Sequence, residues 1–159
     1  MNITYRPAKF EDLEDAARVV QEAGNELRVR HGRQPWPAPP PIAFPKFCLS
    51  EDPDGLWVAE HGDTIVGFGF SWITEQFWFL SQLFVRPQTQ AKGVGQGLLL
   101  KTLMQAQRNG ATSRALITPA YNITSRGPLS EQRPLSARAA LPHERAGASC
   151  RAKACRSQV

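Results

Sequence analysis

The chain has 159 residues, 42% of them hydrophobic and 21% charged, with three cysteines and a formal net charge of +5. That length can bury one useful core, and with no uninterrupted apolar run of the ~20 residues a membrane helix requires, the composition reads as a single soluble domain without a membrane partner. The charge argues against a specific nucleic-acid binder: residues 1–126 carry 13 Lys and Arg against 12 Asp and Glu, whereas residues 127–159 carry 6 against 2 and no aromatic residue to stack on bases.

Asn2 to Lys9 contains no apolar signal region, so a cytoplasmic location is the default expectation. Ile3 and Tyr5 alternate with Asn2, Thr4 and Arg6, which predicts a half-buried first strand over residues 1–7. A helix is predicted over Phe10 to Arg30, because Leu13, Ala16, Ala17, Val20, Ala23 and Leu27 recur at three- and four-residue steps. Glu11, Asp12, Glu14 and Asp15 gather at its N-terminal end, where the helix dipole favours them. Six prolines between Pro35 and Pro45 then predict an extended, stiff loop over residues 34–46.

From Gly55 the pattern becomes β. Leu56–Glu60 and Thr64–Ile73 flank a Gly62-Asp63 tip and predict a hairpin, and Phe77–Val85 is apolar on both faces, as in a central strand covered on both sides. Leu98, Leu99, Thr102, Leu103 and Ala106 form one face of a helix that ends near Asn109-Gly110, and Ala115–Thr118 reads as the next strand. The cysteines Cys48, Cys150 and Cys155 form no CxxC pair and no metal-ligand cluster with His31, His61 and His143, so no metal site is expected.

The residues that carry chemistry lie between the last two of these strands, in Gln90-Ala91-Lys92-Gly93-Val94-Gly95-Gln96-Gly97. Glycines at a helix start let backbone approach a ligand, and the unpaired N–H groups with the positive dipole end suit a phosphate. Glycines alone also occur where a helix crosses a strand closely. A dinucleotide fold fails here, because Arg86-Pro87-Gln88-Thr89 separates strand from glycines and no Asp or Glu occurs between Glu75 and Glu131. A P-loop fails as well, since it needs Lys and then Ser or Thr right after the last glycine, whereas Lys92 precedes the glycines and Gln96 and Leu98 flank Gly97.

The stretch resembles the acetyl-CoA motif of the GNAT superfamily of N-acetyltransferases, with Gln90, Gly93 and Gly95 filling the pattern of Gln or Arg, two residues, Gly, one residue, Gly or Ala. Leu83-Phe84-Val85-Arg86-Pro87 is similar to the end of that family's fourth strand, and the resemblance spans residues 1–126. It implies an α+β fold: a mixed, mostly antiparallel sheet with flanking helices, whose fourth and fifth strands are parallel neighbours that splay apart. It implies acetyl-CoA as co-substrate and an amine-bearing acceptor, with direct attack of the amine on the thioester. The pantetheine arm would pair with backbone at Leu83, Phe84 and Val85 and pass near Asn122. The pyrophosphate would lie on the amides of Ala91, Lys92, Gly93, Val94, Gly95 and Gln96, with Gln90 holding the turn and Lys92 adding a charge or staying solvated. Trp36, Phe44 and Phe47 would either shape the acceptor pocket or tuck onto the core as loop aromatics.

The chain departs from the family in two places. Where many relatives carry an acidic base on the fourth strand, Ser81 and Gln82 stand here, leaving Glu75 and Tyr121 as candidate catalytic substitutes; the alternative readings are a turn residue and a partly buried aromatic. Relatives also continue into a Tyr-bearing helix and two further strands, whereas residues 127–159 are rich in Ala, Arg, Ser and Pro without periodicity. That switch predicts a basic, disordered tail and an incomplete domain, as a frameshift near codon 127 would produce, with one sheet edge left for a second copy to cover as a homodimer. A catalytically inactive acyl-CoA-binding module and a tail-mediated nucleic-acid contact are the alternative functional readings.

Overall fold

A computed structural model of the chain describes residues 2–119 and residue 122. Strand β1 is Thr4–Pro7, and one 3-10 turn at Phe10–Asp12 leads into helix α1, Leu13–Arg30. Helix α2 is Ala43–Glu51; β2, β3 and β4 are Leu56–His61, Thr64–Thr74 and Phe77–Val85; α3 is Val94–Arg108 and β5 is Ser113–Leu116. The strands form one sheet in sequence order. Every neighbouring pair is antiparallel except β4 and β5, which run parallel because α3 carries the chain back across the sheet. This is the mixed α+β sheet with flanking helices that the sequence predicts; the tail and the elements expected to be missing beyond residue 126 lie outside the described residues. Among the described residues no helix is long and apolar enough to cross a membrane.

The period-two alternation of β2 explains how one sheet serves two cores. Leu56 and Val58 join Leu13, Ala16, Val19, Val20 and Leu49 of α1 and α2, while Ala59 faces Val94 and Leu98 of α3 with Trp57 packed alongside. In β3 the two faces differ in bulk. Phe68 and Phe70 fill the α1 side, and Gly67 and Gly69 leave room for α3, whose Leu98 side chain lies 2.8 Å from where a Cβ on Gly67 would stand. A third cluster of Trp78, Leu80, Leu99, Leu103 and Ala106 closes α3 onto β4.

Two sequence expectations shift. The proline-rich segment is not a loop throughout, because α2 begins at Ala43 and contains Pro45. Pro45 stands at the third helical position, where an N–H has no intrahelical acceptor to lose, and the first helical bond runs from the Lys46 N–H to the Ile42 carbonyl at 2.8 Å. The last strand begins two residues earlier than expected and stops at Leu116, leaving Ile117 78% exposed.

Arg6 organises the entry to α1. It binds the buried Asp12 carboxylate at 2.6 Å and also pairs with Glu60 of β2, and Asp12 accepts the Lys9 N–H at 2.7 Å. The Arg6 guanidinium holds the Asp12 carboxyl below the usual range, and the two carboxylates hold the guanidinium charged.

Candidate functional site

The site originates in a mismatch of pairing along β4. On one side β4 pairs with β3 over its whole length, from Phe77 opposite Thr74 to Val85 opposite Gly67, and the register slips by one residue between Phe70 and Ser71. The extra residue on β4 is Ser81, which makes it a β-bulge. On the other side β4 pairs with β5 only from Phe77 to Leu80. A bulge bends its strand and strengthens the local twist, and the parallel ladder ends at the residue before it. From Ser81 onward one edge of β4 has no strand beside it among the described residues.

A cleft of ≈ 140 Å³ occupies the gap. Its floor is Leu80, Ser81, Gln82, Leu83 and Phe84, one wall is Leu116, Ile117, Thr118, Pro119 and Asn122, and the other wall is Gly24, Leu27, Arg28 and Trp36. These residues explain why Ser81 to Phe84 are only half-buried in a strand whose sequence reads as covered on both sides. Asn122 is held at the wall by its N–H to the Pro119 carbonyl at 2.9 Å and its side-chain amide to the Thr118 hydroxyl at 3.2 Å.

Beyond Val85 the chain makes a compact turn into α3. The Arg86 N–H reaches the Val66 carbonyl at 2.8 Å, Thr89 Oγ1 donates to the Arg86 carbonyl at 3.0 Å, and Gln90 Nε2 donates to the Val85 carbonyl at 3.0 Å. The Gln90 side chain thereby ties the turn to the end of β4. Ala91 and Gly93 both take left-handed backbone, with φ of 61° and 78°. Helix α3 then starts without a side-chain cap and without an acidic residue in its first turn, and its first bond runs from the Gly97 N–H to the Gly93 carbonyl at 3.0 Å. Such an end presents unpaired N–H groups and the positive end of the helix dipole. Lys92 folds back on the turn, its Nζ 3.2 Å from the Gln88 carbonyl.

The three glycines that look alike in the sequence have different reasons to be glycine. At Gly93 a Cβ would meet nothing within 4 Å, but the left-handed φ disfavours any other residue. A Cβ on Gly95 would reach only the Val85 side chain, at an ordinary 3.6 Å, so the fold itself makes no demand there. A Cβ on Gly97 would stand 2.3 Å from the Tyr5 hydroxyl oxygen, which makes Gly97 a packing residue between α3 and β1.

The remaining candidates separate. Glu75 has a φ of 56° in the β3–β4 turn and is exposed. It stands six residues before the bulge, about 20 Å at strand rise, and takes no part in lining the cleft; the structure supports its turn reading. Tyr121 lies outside the described residues. Trp36 lines the cleft, whereas Phe44 and Phe47 project from α2, 52% and 60% exposed, with Phe44 tilted against Phe70. Among the described residues the cleft lining holds no carboxylate, and no group of His, Cys, Asp and Glu is arranged to bind a metal.

Gly24, Leu27 and Arg28 were not singled out by the sequence. Helical periodicity marks them as core or solvated face, and their place in the site follows from where α1 lies over β4. Glu22 on the same helix pairs with Arg86 at 3.3 Å, while Arg86 Nε is buried without a hydrogen-bond partner among the described residues.

A family model described as the acetyltransferase (GNAT) family matches residues 19–127. Among solved structures, the PaiA N-acetyltransferase from Thermoplasma acidophilum in complex with coenzyme A is similar at a TM-score of 0.64 and 18% identity, covering 82% of this chain and 88% of that one. A diaminobutyrate acetyltransferase from Paenibacillus lautus, in complex with its substrate and coenzyme A, is similar at 0.65 and 17% identity, covering 82% and 74%. An aminoglycoside acetyltransferase from an uncultured soil metagenomic sample is similar at 0.67 and 14% identity, covering 91% and 95%. No curated protein matches the sequence.

Proposed function

The chain belongs to the GNAT acetyltransferase family, and from that premise we propose that it binds acetyl-CoA against β4 and transfers the acetyl group to a primary amine. The observation that carries the reading is the pairing of β4. Its ladder with β5 ends at Leu80 and Leu116 while the strand itself continues to Val85, so one backbone edge faces the cleft and leads to the N-terminus of α3. An extended, amide-bearing arm fits such an edge as an added strand would, and a pyrophosphate fits the helix start beyond it.

The residues present suit that ligand. The open space beside Gly93, the undemanding environment of Gly95 and the absence of an acidic first-turn residue in α3 leave room and positive potential for an anion. Backbone of Leu83, Phe84 and Val85 would hold the pantetheine arm, with Asn122 at the facing wall. The amides of Ala91, Lys92, Gly93, Val94, Gly95 and Gln96 would hold the pyrophosphate, and Gln90 would keep the turn closed. Similar structures crystallised with coenzyme A support the choice of co-substrate.

Acetyl-CoA would supply an activated thioester, so the protein's task is mostly one of placement. A backbone N–H on the cleft edge of β4 would polarise the carbonyl. With Ser81 and Gln82 where a carboxylate base is common, the acceptor amine would enter already neutral or lose its proton to water; Tyr121 stays a proposed proton carrier.

Calorimetric titration of the full chain with acetyl-CoA tests the reading, alongside a Gly93→Val, Gly95→Val double variant and an assay of thiol release with primary amines. Saturable binding that the double variant loses is the expected result. A folded chain that does not bind acetyl-CoA would refute the assignment.

A further inference from the structure

The wall of the cleft formed by α1 and Trp36 has a distinctive charge. Among the described lining residues Arg28 is the one charged side chain. Its Nε donates to the Gln34 carbonyl at 2.6 Å, and its Cζ lies 5.3 Å from the centre of the Trp36 ring. The guanidinium is therefore oriented by one hydrogen bond and by its place over the Trp36 ring, and its two terminal nitrogens have no acceptor among the described residues. A planar fork of that kind matches a carboxylate with two parallel hydrogen bonds.

Trp36 is itself held in place. Its N–H donates to Asn25 Oδ1 at 2.6 Å, its carbonyl accepts from Asn25 Nδ2 and Gln21 Nε2 at 3.2 Å each, and its ring lies over Gly24, where a Cβ would come within 2.2 Å. Glycine inside a helix costs about 1 kcal/mol relative to alanine, and at Gly24 it permits the close seat of the ring. The nearby acidic residues of α1 are committed elsewhere, Glu22 to Arg86 and Glu26 to Arg30. No negative charge in the described lining would attract a polycationic amine. The cleft of ≈ 140 Å³ would be shared with the pantetheine arm along β4, which leaves room for a small acceptor.

We infer that the acceptor is a small primary amine that also carries a carboxylate, with the carboxylate held by Arg28 on its Trp36 platform. The inference rests on the acetyl-transfer reading. It balances simply: the amine nitrogen forms the amide bond, the thioester C–S bond breaks, the amine loses a proton and the thiolate leaves to be protonated as coenzyme A. Arg28 touches the acceptor's carboxylate and takes no part in the bond changes.

The test uses the full chain and matched acceptors: L-lysine, L-lysinamide and spermidine. Acetyl-CoA binding is measured first by calorimetry, then thiol release is followed with each acceptor. L-lysine is expected to exceed the other two in kcat/KM by about tenfold or more, chiefly through KM. Arg28→Met should erase the preference in a chain that still binds acetyl-CoA, and Arg28→Lys should retain part of it. Gly24→Ala, which alters no charge and favours the helix, should raise the KM for L-lysine by displacing Trp36.

Equal or better turnover of L-lysinamide or spermidine would overturn the inference, as would a preference that survives Arg28→Met. Acetyl-CoA binding without acetylation of L-lysine would overturn it while leaving the co-substrate reading standing. Failure of acetyl-CoA itself to bind would remove both.

Discussion

Replacing Gly97 by Ala separates the packing role of that glycine from a ligand role. In the first turn of α3 the exchange gains up to about 1 kcal/mol from backbone propensity. Against this, the new Cβ would stand 2.3, 2.4 and 2.7 Å from the Oη, Cζ and Cε1 atoms of Tyr5, well inside contact distance. Overpacking of this sort costs about 1–3 kcal/mol; pairing with Ala59 holds the Tyr5 backbone, so any relief must come from rotation of the half-buried ring. The balance is a net loss of up to about 2 kcal/mol, or up to about 4–8 °C in Tm for a domain of this size. In a Tyr5→Ala background the clash is gone and the sign reverses, so Gly97→Ala then stabilises by up to about 1 kcal/mol. Denaturant and thermal unfolding of the four chains measures the cycle. Acetyl-CoA affinity of the single Gly97→Ala chain should be unchanged. Equal effects of Gly97→Ala in both backgrounds, or loss of acetyl-CoA binding without loss of stability, would refute the reasoning.

Gly93→Ala meets no atom but must hold a φ of 78°, so it should cost about 1–2 kcal/mol of stability and weaken acetyl-CoA binding in the same titration; unimpaired binding would remove the turn from the site. Asp12 has its pKa lowered by Arg6, so its contribution to stability is full above the ordinary Asp range near pH ~4 and fades as the pH falls through the lower folded value. Asp12→Asn should therefore lose about 2 kcal/mol at neutral pH and converge with the parent chain at acid pH, as denaturant midpoints measured across that range will show. With no carboxylate in the described cleft lining, kcat/KM for a lysine side-chain amine should climb with pH toward the amine's own pKa of about 10; a plateau reached near neutrality in the pH–rate profile would reveal a protein base instead.

What the sequence determined by itself is whatever one segment's own residues encode. The alternation in Leu56–Glu60 and Thr64–Ile73, the apolar face from Leu98 to Ala106 and the Gln90-x-x-Gly93-x-Gly95 turn each carry their signal within a few residues, because side-chain period and backbone permissiveness are local properties. Gln90 and Asn122 could be marked in advance for the same reason, as members of short motifs. The tertiary structure decided everything that depends on two distant segments meeting. The end of the parallel ladder at Leu80 reflects a bulge at Ser81 that exists only in the register with β3. The reason for Gly97 lies 92 residues away in Tyr5, and that for Gly24 lies in the seating of Trp36. Arg28 reads as one more solvated charge on a helix until α1 is laid over β4, and only the packing of those two elements turns it toward the cleft.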